Sequence, residues 1–135
     1  MNRKIKFRCW IKSEERFVYN PVIDFTNMIV YSEMNPVNNS GGFIIYDGDF
    51  ILCQYTGLDD KNGKEIYEGD ILKFSFGVGK VVFCDGGFAC DMWEKDKPAH
   101  LFHWFNFCNI DHSHIIPEVI GNIYENPEFL EEIEK

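Results

Sequence analysis

Ile71-Leu72-Lys73-Phe74-Ser75-Phe76-Gly77-Val78-Gly79-Lys80-Val81-Val82-Phe83-Cys84-Asp85-Gly86-Gly87-Phe88-Ala89-Cys90-Asp91-Met92-Trp93 decides the fold class. Three apolar runs, Ile71–Phe76, Lys80–Cys84 and Phe88–Trp93, are divided by Gly77-Val78-Gly79 and Asp85-Gly86-Gly87. Short β-branched and aromatic runs bounded by glycine turns read as strands of an antiparallel meander. With a later strand returning alongside, such a meander can close into a small SH3-like barrel.

Upstream, Glu68-Gly69-Asp70 forms a turn into the first of these strands. Asn62-Gly63 suits a type I′ turn, in which both central residues take positive φ. Farther back, Asp47-Gly48-Asp49 between Phe43–Tyr46 and Phe50–Tyr55 is a hairpin signal. Residues 32–42 are rich in turn formers and read as a loop. Phe17–Tyr19, Ile23–Phe25 and Met28–Tyr31 are short strand candidates, with Pro21 as a breaker. Downstream of the meander, residues 94–99 are a charged loop, Leu101–Phe107 an aromatic strand, Asn109–His114 a polar loop, and Pro117–Tyr124 holds a strand. A short C-terminal helix is expected to follow. Asn126 can cap it, Pro127 fits its first position, Glu128 suits its positive end, and Phe129, Leu130 and Ile133 fall on one face.

Among 135 residues, 16% are aromatic and the formal net charge is −9. An acidic surface repels phosphate backbones and anionic membranes. The exception is residues 1–16, where six Lys and Arg face only Glu14 and Glu15, a net charge of +4. Lys4, Lys6 and Arg8 alternate there with Ile5, Phe7 and Cys9, so a strand would place three cations on one face. With Trp10 beside them they could track a nucleic-acid backbone and stack one base. They equally suit an exposed edge strand guarded by lysine against aggregation, and the acidic remainder weighs against nucleic acid. The five cysteines have no CxxC spacing and read as reduced thiols. No apolar run approaches bilayer length, and no apolar segment follows the basic start. The expected location is the cytoplasm.

Few residues invite chemistry. His100, His103, Cys108, His112 and His114 are of types that bind zinc, but their spacing matches no standard finger. The competing reading is a loop of solvated histidines, with His103 packed among apolar neighbours. Asp47 with Asp49, Asp59 with Asp60, and Glu68 with Asp70 are paired carboxylates, which can share a metal or divide acid and base roles. Each pair lies beside a turn glycine, where aspartate commonly accepts hydrogen bonds from nearby backbone N–H groups. No nucleophile stands beside a base in a known motif, and Gly77-Val78-Gly79 is not a phosphate-binding loop. No catalytic residue and no cofactor are assigned.

Three stretches resemble the YopX family of bacteriophage and prophage proteins. They are Ile5–Trp10, the long run Gln54-Tyr55-Thr56-Gly57-Leu58-Asp59-Asp60-Lys61-Asn62-Gly63-Lys64-Glu65-Ile66-Tyr67-Glu68-Gly69-Asp70-Ile71, and Val119–Glu128. The resemblance implies a phage or prophage source, a β-rich fold and residence in the host-cell cytoplasm, and it carries no catalytic residues across. It matches Gly57, Asn62, Gly63, Gly69 and Asp70, which read as architectural turn residues. The expected fold is mainly β: an N-terminal β-region (1–58) packed with an SH3-like barrel (59–124), closed by a helix (125–135). The expected function is a non-enzymatic binding or assembly protein acting on another protein, with homo-oligomerisation also open. Trp10, Trp93 and Trp104 are the aromatics to seek at an interface. The rival functions are nucleic-acid association through Lys4, Lys6 and Arg8, and a metal-dependent enzyme at the His/Cys cluster.

Overall fold

The computed structural model describes residues 4–32, 44–93, 100–102 and 116–129. It is mainly β, with twelve strands among those residues. The chain divides into two compact units, one spanning Ile5–Gln54 and the other formed mostly from Tyr55 onward.

In the first unit, Phe7–Ile11 (β1) pairs antiparallel with Arg16–Tyr19 (β2). Its other edge pairs with the start of Phe50–Asp59 (β6). Val22–Asp24 (β3), Ile29–Ser32 (β4) and Ile44–Asp47 (β5) form a separate antiparallel sheet in the order β3-β4-β5. Cys9, Ile11 and Val18 from the first sheet meet Val30 and Tyr46 from the second, with Ile23, Phe50 and Leu52 packed around them. The unit is therefore a small two-layer sandwich around one apolar core.

The second unit begins with the far end of β6, which pairs with Glu65–Tyr67 (β7). Asp70–Phe74 (β8), Gly77–Cys84 (β9) and Gly87–Trp93 (β10) form the expected meander. His100–Phe102 (β11) adds to β10, and Glu118–Asn122 (β12) adds to β8, giving the order β11-β10-β9-β8-β12. Leu72, Phe74, Val81, Phe88, Cys90 and Met92 supply one side of the core, and Ile66 and Leu58 cover it from the β6–β7 hairpin. The described residues stop at Phe129, so most of the expected C-terminal helix lies outside them and no helix of useful length is present within them.

Four local expectations are corrected. The first strand of the meander ends at Phe74, and Gly77-Val78-Gly79 lies inside β9 rather than in the turn. Gly79 is needed there for space, because a Cβ would stand 2.7 Å from Met92 Sδ and 2.9 Å from the Asp91 carbonyl oxygen. Asp47-Gly48-Asp49 does not close a hairpin: β5 pairs with β4 and β6 pairs with β1, so the segment is a corner between two sheets. Asp49 fixes that corner by accepting from Lys12 N at its carbonyl and from Ser13 N at its carboxylate. Asn62-Gly63 is not a type I′ turn, since Gly63 has positive φ and Asn62 does not. The double positive φ occurs instead at Asp85-Gly86, where Cys84 pairs directly with Gly87.

Gly69 is the most constrained turn residue. Its φ is +87°, and a Cβ would lie 2.7 Å from the Tyr124 ring. Its N–H donates to the Val81 carbonyl and its own carbonyl accepts from Ile123 N. Gly48 shares the positive φ but has nothing near its Cβ position. Gly48→Ala should therefore cost about 1 kcal/mol, the conformational term alone. Gly69→Ala should cost at least about 2 kcal/mol more, because the ring must also move. Urea unfolding of both variants checks the difference, and equal losses would show that the Tyr124 contact carries no weight.

Candidate functional site

The long run resembling the YopX pattern folds into the β6–β7 hairpin and the turn after it, and its polar side chains are held by local bonds. Asp60 is buried at the start of the connecting loop. Its Oδ1 accepts from Asn62 N and Lys64 N, both at 2.8 Å, and its Oδ2 accepts from Val119 N at 3.0 Å. Burial alone would raise its pKa, but the backbone donors outweigh that and hold it below the ordinary value of 3.8. Asp70 is 1% exposed and accepts Tyr67 N at 2.8 Å, closing the Glu68-Gly69 turn.

Next to these lie two tyrosine–carboxylate pairs. Tyr55 donates to Asp59 Oδ1 at 2.6 Å, and Tyr67 donates to Glu65 Oε1 at 3.2 Å. The two rings lie 5.6 Å apart, and Asp59 faces Glu65 across the strands. Burial, with Asp59 as hydrogen-bond acceptor, raises the Tyr55 pKa. That phenol is therefore a poor proton donor near neutral pH. Gly57, expected as a turn residue, sits within β6 at φ +89°, where the pairing slips between Tyr55 and Asp59.

The basic N-terminal run is not an open cationic strand. β1 is paired on both edges, so it is not the exposed edge strand that the lysines could have guarded. Arg8 is only 3% exposed, with its guanidinium carbon 4.2 Å from the centre of the Phe17 ring. The stacking of a delocalised cation on an aromatic face favours this placement. Lys4 is exposed and Lys6 half-buried, both ahead of the strand. Trp10 is 9% exposed and meets Phe17 edge-on at 5.0 Å, so it sits in the fold rather than at the surface. Trp93 is half-buried at the end of β10, opposite Val78. Trp104, His103, Cys108, His112 and His114 lie outside the described residues, and of His100 only the backbone pairing with Met92 is described. Among the described residues no three His, Cys, Asp or Glu side chains gather as a metal ion requires.

Two of the shallow cavities are lined by described residues. One, of about 260 Å³, is lined by Lys61, Lys73, Phe74, Ser75, Ile116 and Glu118, and within it Lys61 pairs with Glu118 at 3.4 Å. The other, of about 250 Å³, is lined by Ile5, Lys6, Phe7, Asn20 and Pro21. Both are smaller than the ~300–1,000 Å³ typical of small-molecule sites. Cys9 and Cys90 are not activated either: burial raises the Cys9 thiol, with Cys53 nearby adding to it, to about 12, and burial raises Cys90 to about 12.

A feature missed in the sequence lies on the outer face of the β3-β4-β5 sheet. Ile23, Val30 and Tyr46 are register partners and point into the core. Their neighbours Val22, Tyr31 and Ile45 are also register partners, so they form an apolar row on the opposite face. Val22 is 52% exposed, Ile45 is 61% exposed and Tyr31 is half-buried. Phe25 and Met28, in the β3–β4 turn, are exposed as well. No local pattern marks this row, because its members are contributed by three separate strands.

A family model described as YopX protein matches residues 6–131. Among solved structures, the crystal structure of protein EF1440 from Enterococcus faecalis is similar. The TM-score is 0.61 at 29% sequence identity, covering 96% of this chain and 99% of that one. No curated protein matches the chain.

Two outcomes follow from this geometry. Asp60→Ala removes the acceptor of three backbone N–H groups and should cost about 3 kcal/mol at pH 7 by urea unfolding. Because the folded pKa of Asp60 lies below its ordinary 3.8, its contribution is fully present above that value. It fades as the pH falls through the lower folded value. The gap between wild type and Asp60→Ala should therefore narrow in strong acid, and a constant gap would show that the charge is not what binds the loop. Native thiol labelling with mass mapping should modify half-buried Cys84 well before Cys9, Cys53 or Cys90, all buried. Equal rates would mean that the cores open readily.

Proposed function

Since the chain belongs to the YopX family, we infer that it is a phage- or prophage-encoded, non-enzymatic binding or assembly protein whose target is another protein. The observation that carries this reading is the apolar row of exposed Val22, half-buried Tyr31 and exposed Ile45, on a sheet whose other face is already the core. A folded monomer gains nothing from such a surface, and exposed apolar patches commonly mark interaction sites. The carboxylates Asp60 and Asp70, one from each of two acidic pairs, are committed to backbone N–H donors. The β8–β9–β10 meander flanked by β12 supports reading residues 59–124 as a small SH3-like barrel, with residues 1–58 as an N-terminal β-region. Rigid β scaffolds of this kind present loops and faces to partners.

The test is capture of partners from bacterial cytosol on the tagged full-length chain, with and without nuclease, against Tyr31→Asp as control. A nuclease-resistant protein, recovered with wild type and depleted about tenfold on Tyr31→Asp, is expected from loss of a buried aromatic contact. Material that disappears with nuclease would instead make Lys4 and Lys6 part of a nucleic-acid contact and overturn the reading.

A further inference from the structure

The outer face of the β3-β4-β5 sheet has a second row beside the apolar one. Two residues along each strand from Val22, Tyr31 and Ile45 stand Asp24, Ile29 and Asp47, themselves register partners. The face is thus a grid of four apolar side chains and two carboxylates, and these strands place no cation on it. The Asp24 carboxylate is held by Thr26 N, Asn27 N and the Asn27 side chain, at 2.8 to 3.1 Å, which fixes its position.

Size and charge narrow what can cover it. Three strands about 4.8 Å apart, one of three residues and two of four, present roughly 170 Å². A stable association of globular surfaces takes about 800 Å² from each partner. The face alone therefore supplies only part of such an interface, and at a net charge of −9 copies of this chain repel one another, which favours a basic partner. The row is centred on Tyr31 of β4, the interior strand. A strand added to the edge of the sheet would lie beside β3 or β5 and leave that centre bare. An amphipathic helix laid over the face would cover it, with apolar residues at three- and four-residue spacing on the row. Cations beside that stripe would meet Asp24 and Asp47.

We propose that the outer face of β3-β4-β5 docks a basic amphipathic helix of a partner protein, through Val22, Tyr31 and Ile45 with Asp24 and Asp47 selecting its charge. The proposal rests on the binding-protein reading and names the chemistry of its target.

The probe is an 18-residue Leu–Lys peptide with its leucines on one helical face, with a Leu–Glu counterpart of the same pattern. Each is titrated into the full-length chain by fluorescence anisotropy and by backbone amide NMR. The Leu–Lys peptide should bind and shift the amides of β3, β4 and β5. The double variant Val22→Glu/Ile45→Glu should weaken it at least about tenfold, from lost apolar burial. Asp47→Asn should weaken it about threefold at low salt, with the difference gone at high salt. A thermal melt establishes that both variants are folded. Equal binding of the Leu–Glu peptide, shifts confined to other strands, or unchanged affinity in the double variant would each overturn the proposal. So would a dimer in sedimentation that the double variant abolishes, because the occupant would then be a second copy. If the double variant still captures the wild-type partner from cytosol, this face is wrong while the binding reading stands. If no protein is captured by either chain, the reading itself fails.

Discussion

The Asp60 carboxylate ties the β6–β7 loop to β12 within the second unit. One oxygen closes the five-residue loop between β6 and β7, and the other reaches Val119 at the start of β12, 59 residues away in sequence. Lys61 N adds a bond to the Pro117 carbonyl beside it. At the other end of β12, Ile123 N donates to the carbonyl of Gly69. The last described strand is thus pinned at both ends by turns of the central run. A buried carboxylate is normally a liability, and three backbone donors turn it into a fastener.

That use of charge bears on function. Asp60 and Asp70 bind backbone, Asp59 and Glu65 bind tyrosine hydroxyls, and Arg8 lies on Phe17. Among the described residues, these polar groups hold turns and layers. The first unit leaves apolar side chains exposed as well. One sheet of a two-sheet sandwich faces the core with Ile23, Val30 and Tyr46 and shows Val22, Tyr31 and Ile45 on its reverse.

Local features were legible in the sequence. The meander, its Asp85-Gly86 turn and the strand after Pro117 follow from short apolar runs and glycine punctuation. Asp60 and Asp70 were readable as turn residues, because the donors they meet within two to four positions are set by the local chain. The bond from Asp60 to Val119 was not readable, since it depends on where β12 docks. Gly79 was misplaced for the same kind of reason: its need for space comes from Met92 and Asp91 on the neighbouring strand. The alternation of Lys4, Lys6 and Arg8 suggested an open cationic face. Whether that face is open depends on pairing with β2 and β6, which bury Arg8. The outer row was invisible because register, not sequence proximity, assembles it.

The central claim is that contact with a partner falls on the reverse of the β3-β4-β5 sheet. Hydroxyl-radical footprinting of the full-length chain, free and bound to its captured partner, addresses it directly. Exposed Met28 and Phe25 and half-buried Tyr31 should be oxidised in the free chain and protected in the complex, while exposed Phe76 and Phe83 in the other unit react equally in both. Protection of Phe76 and Phe83 with Tyr31 unchanged would contradict the account.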